Sequence, residues 1–401
     1  VRIEHPRHQR FPLSQKADLR RGQQTAKFSH MHNFPQATAD DWLKRVSKAT
    51  KGAPFDAEAV LFQRQAGPRA ERPQHVPWRV FARVDHHDIM RARLQAEDDL
   101  ANGVTGLVIP SPAQVSALEH LPLHRFALRN EGGDLGAEAI RHLVGRLPLD
   151  PARLTVDHGV HDADLAKLIH AQGFTGPLMR GDGRSFHAGG LDEGDELGAA
   201  LASAISALRK LVFLADAQLA GAVSITLSAT QDMLATMAKF RAARILWRDV
   251  LKSSGLPDTP LALHGETSRV MLAETDAHSN ILRSVAAVFG AGLGGADSLS
   301  VLPFSFNQGL PNAFSRRVAR NLQNLLLHES DLWRVSDPAA GAGAIETPTQ
   351  RLCEQAWRVM QAAERGDWPS GDPAQSKAMP VIGVRAYQPS AELPAEVEAQ
   401  S

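Results

Sequence analysis

"AVSITLSATQDMLATMAKFRAARILWRDVLKSSGLPDTPLALHGE", residues Ala222 to Glu266, joins two short apolar runs through one long stretch of helical spacing. Residues 222–228 and 261–266 have strand length, and 231–253 carries apolar residues at helical intervals. A strand, a crossover helix and a second strand make a parallel unit. Side chains alternate faces along a strand, so each residue is assigned a side. Val223, Ile225 and Leu227 share one face of the first run, and Ser224, Thr226 and Ser228 the other. In the second run Leu261 and Leu263 oppose Ala262, His264 and Glu266.

The same unit recurs on both sides of this stretch. Further strand candidates are residues 78–84, 106–110, 125–129, 153–156, 176–180 and 298–303. The helical stretches are Met90–Asn102, Pro112–His120, Leu135–Gly145, Ala163–Gln172, Glu193–Leu214, Asp276–Gly290 and Pro311–Ser330. Eight such units predict an α/β fold, a (β/α)8 TIM barrel; an open doubly wound sheet is the alternative, and the regular repeat favours closure. Barrel strands turn their apolar faces to the helices. Ser224, Thr226, Ser298 and Ser300 then point inward, together with His264 and Glu266. Most barrels fill the interior with branched apolar side chains. A small, polar lining fits either a ligand channel or a closed core of hydroxyls bonded to one another.

Composition narrows the function classes. Lys+Arg and Asp+Glu number 44 each, so the formal charge is zero and nothing favours nucleic acid or an anionic membrane as partner. No run approaches the ~20 apolar residues a membrane helix needs. The single cysteine, Cys353, rules out an intramolecular disulfide framework and a thiolate-rich metal site, and fits a reducing cytoplasm. Residues 1–33 are basic and polar and read as a disordered tail, with Met31 as an alternative start. Residues 34–77 read as a short helix, capped by Asp40 or Asp41 and stopped by Gly52, followed by an extended arm. The barrel is expected over 78–366, closing on an amphipathic helix at 347–366, and 367–401 reads as a flexible tail or truncated linker.

"FGAGLGG" (289–295) matches the G-x-G-x-x-G spacing of a dinucleotide loop through Gly290, Gly292 and Gly295. That loop needs a strand before it and a helix after it, so that the helix N-terminus faces the phosphates. Here the order is reversed. Gly290, Gly292, Gly294 and Gly295 are therefore expected to end a helix and turn the chain into the eighth strand.

The segments "MAKFRAARILWRDVL" (237–251), "HGETSRVMLAETDAHSNILRSVAAVFGAGLGGADSLSVLPF" (264–304) and "LPNAFSRRVARNLQNLLLHESDLWRVSDPAAG" (310–341) resemble the barrel of the methylmalonyl-CoA mutase family. "DGRSFHAGGLDEGDELGAALASAISALRKL" (182–211) belongs to the same pattern. "WRVFARVDHHDIMRARLQAEDDLANGVTGLVI" (78–109) is similar to the N-terminal layout of the small subunit of the heterodimeric bacterial enzyme. The resemblance implies isomerisation of methylmalonyl-CoA and succinyl-CoA with adenosylcobalamin, the acyl-CoA lying along the barrel axis. It also implies that the cofactor supplies the radical while the protein orients it and excludes water.

Several positions depart from that pattern. The family's cobalamin domain carries a D-x-H-x-x-G motif, and the 37 residues from Arg365 to Ser401 are expected to be too few for such a domain. "DAHSNI" (276–281) and "DHHDIM" (85–90) both fail at the final glycine. A substrate-side tyrosine is expected near 83–87, yet the chain's one tyrosine is Tyr387. His187 precedes a glycine pair at a spacing two residues shorter than in catalytic chains, which sets Ser185 where the catalytic histidine would stand. Glu266 replaces an amide, and a carboxylate donates no hydrogen bond unless protonated.

The resemblance thus implies a barrel subunit, non-catalytic and paired with a large mutase subunit that holds adenosylcobalamin. A split acyl-CoA mutase served by a separate cobalamin-binding protein is the alternative. His264, Glu266 and His187 are the candidate catalytic residues. Arg241, Ser224, Thr226, Ser298 and Ser300 are the candidate acyl-CoA contacts, with Arg241 and Arg244 either neutralising CoA phosphates or pairing with acidic neighbours. "DHHD" (85–88) and "DHGVHDAD" (157–164) look like metal ligands, with His158 and His161 on one helical turn. Neither has a distinctive third-ligand spacing, so no metal site is expected.

Overall fold

The computed structural model describes residues 38–53, 76–372, 382, 384 and 394–398. The expected N-terminal tail, most of the arm and Tyr387 lie outside the described residues. Residues 38–53 hold helix α1 (Ala39–Ala49). Its cap is Thr38 rather than Asp40 or Asp41. The Thr38 hydroxyl accepts from Asp41 N at 3.2 Å, and the Asp41 carboxylate accepts from Thr38 N at 3.1 Å. A hydroxyl and a carboxylate three residues apart satisfy two orphan amides at once, and that reciprocal pair outcompetes a lone aspartate. Lys51 and Gly52, both at positive φ, end the turn.

The barrel strands are β1 (Arg79–Arg83), β2 (Gly106–Ile109), β3 (Ala127–Asn130) and β4 (Thr155–Asp157), then β5 (Met179–Asp182), β6 (Val223–Ala229), β7 (Ala262–Thr267) and β8 (Ser298–Ser300). All ladders are parallel, in the order β4-β3-β2-β1-β8-β7-β6-β5. Because β1 pairs with both β2 and β8, the sheet curls into a (β/α)8 barrel as expected. Its seam lies between β4 and β5. There His158 N donates to Pro177 O and Val160 N to Leu178 O, each at 2.9 Å, without a full ladder. Across the sheet Asp182, Thr226, His264, Ser298 and Arg79 are successive register neighbours, which sets one inward layer.

The surrounding helices are α2 (Ile89–Ala101), α3 (Gly133–Arg146), α4 (Ala163–Ala171), α5 (Arg184–Ala188) and α6 (Glu193–Lys210). They continue with α7 (Asp216–Gly221), α8 (Met233–Ser253), α9 (Ser279–Leu293), α10 (Ala313–His328) and α11 (Gly343–Glu364). The crossover after β2 is a 3-10 helix, Pro112–Leu118, where the spacing predicts an α-helix. Prolines at 110, 112 and 122 bracket a stretch this short, and short connectors take the tighter winding. Val223, Ile225 and Leu227 are buried beneath the helices. Each such side chain contributes roughly 1.5–3 kcal/mol by leaving water.

The glycine run behaves differently from its expected role as a helix stop. Helix α9 continues through Gly290 and Gly292 and ends only at Gly294, after which Gly295 takes φ +103. A Cβ on Gly290 would sit 2.7 Å from Met233 O, and one on Gly292 2.8 Å from the Trp78 ring. The first two glycines therefore serve close packing of α9 on α8 and on Trp78, while the last makes the turn into β8. The nucleotide geometry is absent, as the element order predicts.

Candidate functional site

The C-terminal ends of the strands, where barrel sites are built, deliver charge. Arg83 leaves β1, Arg129 lies on β3 with Glu131 just beyond it, and Asp157 ends β4. Arg180 and Asp182 lie on β5, Arg184 opens α5, and Glu266 lies on β7. The Glu131 carboxylate accepts from Arg83 at 2.7 Å and from Arg184 at 2.6 Å. Glu266 accepts from the same two guanidiniums at 3.2 and 2.8 Å. Arg184 also donates to Asp182 at 2.6 Å. Deeper in, Asp157 lies 2.5 Å from Arg129 and 2.8 Å from Arg180, and accepts from Ser224 at 2.9 Å. Arg129 donates also to Thr226. Arginines 83, 129, 180 and 184 thus face Glu131, Asp157, Asp182 and Glu266, and the formal charges cancel.

The electrostatics follow from that enclosure. Burial opposes the charge on Glu131, yet Arg184 and Arg83 hold its carboxyl well below the usual range. Asp157 and Asp182 are lowered in the same way against burial, the first by Arg180 and Arg129, the second by Arg184. Burial, with Arg180 repelling it, brings Arg129 down to about 10, and Asp157 offsets part of the loss. Glu131, Asp157, Asp182 and Arg129 therefore remain charged near neutrality.

Each candidate from the sequence finds a place. His264 is buried between two hydroxyls, with Nδ1 2.8 Å from Ser298 Oγ and Nε2 3.1 Å from Ser300 Oγ. Burial above all, with Arg129 and Arg184 near, holds its imidazole well below the ordinary value. It is neutral, so one serine donates to it and the other accepts. Glu266 is closed by two arginines. The structure does bring His264, Glu266, Ser224, Thr226, Ser298 and Ser300 together in the lumen.

His187 lies beside this group, on α5. Its Nε2 is 2.8 Å from Ser268 Oγ and its Nδ1 is 3.8 Å from Glu196. Burial and the nearby Lys239 push His187 down to about 4. Arg241 lies outside the lumen, on α8. Its guanidinium meets Asp337 at 3.0 Å, Glu346 at 3.1 Å and Thr349 at 3.2 Å, which is the acidic pairing rather than a phosphate contact. Arg244 likewise bonds Gly295 O and Asp297.

The two apparent metal clusters disperse. His158 and His161 fall in the loop before α4, not on a helical turn, because Asp162 caps the helix that follows. His158 is fully buried edge-on to Phe174, and Asp85 pairs with Arg316. Among the described residues no three His, Cys, Asp or Glu side chains group to hold a metal.

The arginines 83, 129, 180 and 184 and their partners Glu131, Asp157 and Asp182 escaped the sequence reading. A signal was present. Arg79, Phe81 and Arg83 alternate along β1, and Arg180, Asp182 and Arg184 alternate from β5 onward. Within the lumen lies a cavity of about 140 Å³ lined by residues including Phe81, Arg129, Asp157, Ser224, His264 and Ser298. A larger concavity of about 820 Å³ lies outside the barrel, between α8 and α11, far from this chemistry.

The family model described as methylmalonyl-CoA mutase matches residues 181–367. The methylmalonyl-CoA mutase small subunit of Streptomyces virginiae is 32% identical, over 83% of this chain and 64% of its own length. The probable small subunit of Mycobacterium bovis is 42% identical over 46% of this chain and 31% of its own. The small subunit of Propionibacterium freudenreichii subsp. shermanii is 29% identical over 72% of this chain and 50% of its own. The chain thus spans under two thirds of the length of these relatives.

Proposed function

We propose that this chain, which is similar to methylmalonyl-CoA mutase and to its small subunits, is a non-catalytic barrel subunit. In this reading it supports a catalytic large subunit that isomerises methylmalonyl-CoA and succinyl-CoA in the cytoplasm. One observation carries the proposal: the barrel axis, where an acyl-CoA arm would lie, is filled by the eight-charge network. The 140 Å³ cavity beside it is well below the roughly 300–1,000 Å³ of pockets that enclose small organic ligands. To admit substrate, Arg83 would have to leave two carboxylates and Arg184 three, and unpairing a buried charge is costly.

Adenosylcobalamin supplies radical chemistry to this family when bound. The donor set here does not fit it. His264 spends both nitrogens on serines, His187 spends Nε2 on Ser268, and Glu266 offers no free edge. The cofactor is therefore assigned to a partner chain. What this chain contributes is a rigid barrel whose outer faces hold that partner.

The test is reconstitution. The chain should co-elute with a full-length mutase large subunit, show no turnover alone, and bind no acyl-CoA in equilibrium dialysis. Saturable acyl-CoA binding by the isolated chain would defeat the closed-lumen reading. Turnover restored by a lone cobalamin-binding protein would replace it with the split mutase.

A further inference from the structure

Residues 394–398 return to the barrel and lie against the loops that follow β8 and β1. Val397 forms an isolated antiparallel bridge with Pro311, and Glu398 N donates to Leu310 O at 2.9 Å. Ala395 N donates to Gln308 Oε1 at 3.1 Å. Its side chain is buried with Ala277 and Phe304 in a small apolar cluster apart from the main core. The Glu398 carboxylate then reaches the far side. It accepts from Gln95 Nε2 on α2 at 2.7 Å, and its other oxygen lies 3.0 Å from His86 Nε2. His86 is oriented for this contact, because its Nδ1 accepts from Asp88 N at 2.9 Å and leaves Nε2 to carry the proton. Gln308 also donates to Glu274 O at 2.6 Å in the loop after β7. This short segment thus ties three consecutive strand-to-helix loops together.

We propose that residues 394–398 form a strap that closes the β7–β8–β1 side of the barrel's C-terminal mouth by locking residues 301–312 against the loop after β1. The mouth is the face on which barrels bind ligands and on which a partner would seat. A strap held by a few hydrogen bonds and one small apolar cluster opens far more readily than the strands beneath it. Approach from this side therefore requires its release. The inference needs no mutase chemistry and stands apart from the subunit reading.

Hydrogen exchange followed by mass spectrometry on the full chain tests it. Ala395→Asp places a carboxylate in the Phe304 cluster and evicts the segment. Backbone amides of 301–312 and 86–88 should then exchange about tenfold faster or more, while those of β6 and α8 keep their rates. Glu398→Ala, which removes only the side-chain ties, should give a rise of a few fold in the same two regions. If β6 accelerates equally, Ala395→Asp has opened the whole domain and Glu398→Ala decides alone. Unchanged rates at 301–312 once 394–398 exchange freely would overturn the proposal. So would unprotected exchange of 394–398 in the unaltered protein.

Discussion

Two sets of buried charges occupy different layers of this barrel, and they are built differently. Beneath the helices, Lys239 on α8 meets Glu196 on α6, both with fully buried side chains. Glu196 also accepts from Ser228 N at 2.6 Å. Arg241, close by, is clamped by Asp337 and Glu346. Lys239 rests on the one carboxylate of Glu196 and Arg241 on two. In the lumen the partners are shared: Arg83 and Arg184 each hold both Glu131 and Glu266, and Arg184 also holds Asp182. A dedicated pair leaves its survivor uncompensated when one member is lost. A shared network redistributes. The shell should therefore be intolerant of single changes and the lumen forgiving, which suits a lumen that fills space and a shell that carries the fold.

The sharpest way to break that contrast is Lys239→Ala, which leaves Glu196 buried without a cation. Loss of a buried partner costs about 3–5 kcal/mol, and urea unfolding should show it, with Glu196→Gln in the same chain recovering part. Burial pushes the Glu196 carboxyl up even with Lys239 present, so protonation is the route by which the survivor relieves itself.

Next comes His158, whose two ring nitrogens are buried without a hydrogen-bond partner. Burial brings it down to about 4 in the fold, against roughly 6.5 unfolded. The unfolded chain binds the proton first, so this stabilisation is complete above about pH 6.5 and is lost as pH falls towards 4, by about 3 kcal/mol. Unfolding free energies at pH 7 and 4 should differ less by that amount in His158→Leu. An unaltered pH slope would show that the ring is not enclosed as described.

Gly292→Ala tests shell packing without charge. The added methyl meets Trp78 at 2.8 Å, and overpacking of this kind costs about 1–3 kcal/mol. The smallest effect is expected in the lumen. Glu266→Gln leaves Glu131 to Arg83, and Glu131 and Asp182 to Arg184, so a loss of about 1 kcal/mol is expected. A loss as large as that of Lys239→Ala would show that the lumen network is not redundant.

Much of the fold was legible from periodicity. All eight strands lie within three residues of their expected limits, and the inward placement of Ser224, Thr226 and His264 follows from alternation alone. The direction of the elements around Gly290–Gly295 was enough to reject a phosphate loop. The site was less legible. "WRVFARV" reads as an apolar strand, and its Arg83 acquires a role only when Glu131 and Glu266, 48 and 183 residues away, close on it. Arg241 offered two readings until α11 supplied Glu346.

The order and type of elements and the faces of the strands were determined by the amino-acid sequence itself, because periodicity and local turn chemistry act over a few residues. Which charges pair, whether the lumen is open, and where residues 394–398 come to rest were decided by tertiary structure. Those outcomes depend on distances between segments far apart in the chain and on burial, which strengthens a matched charge pair and penalises an unmatched one.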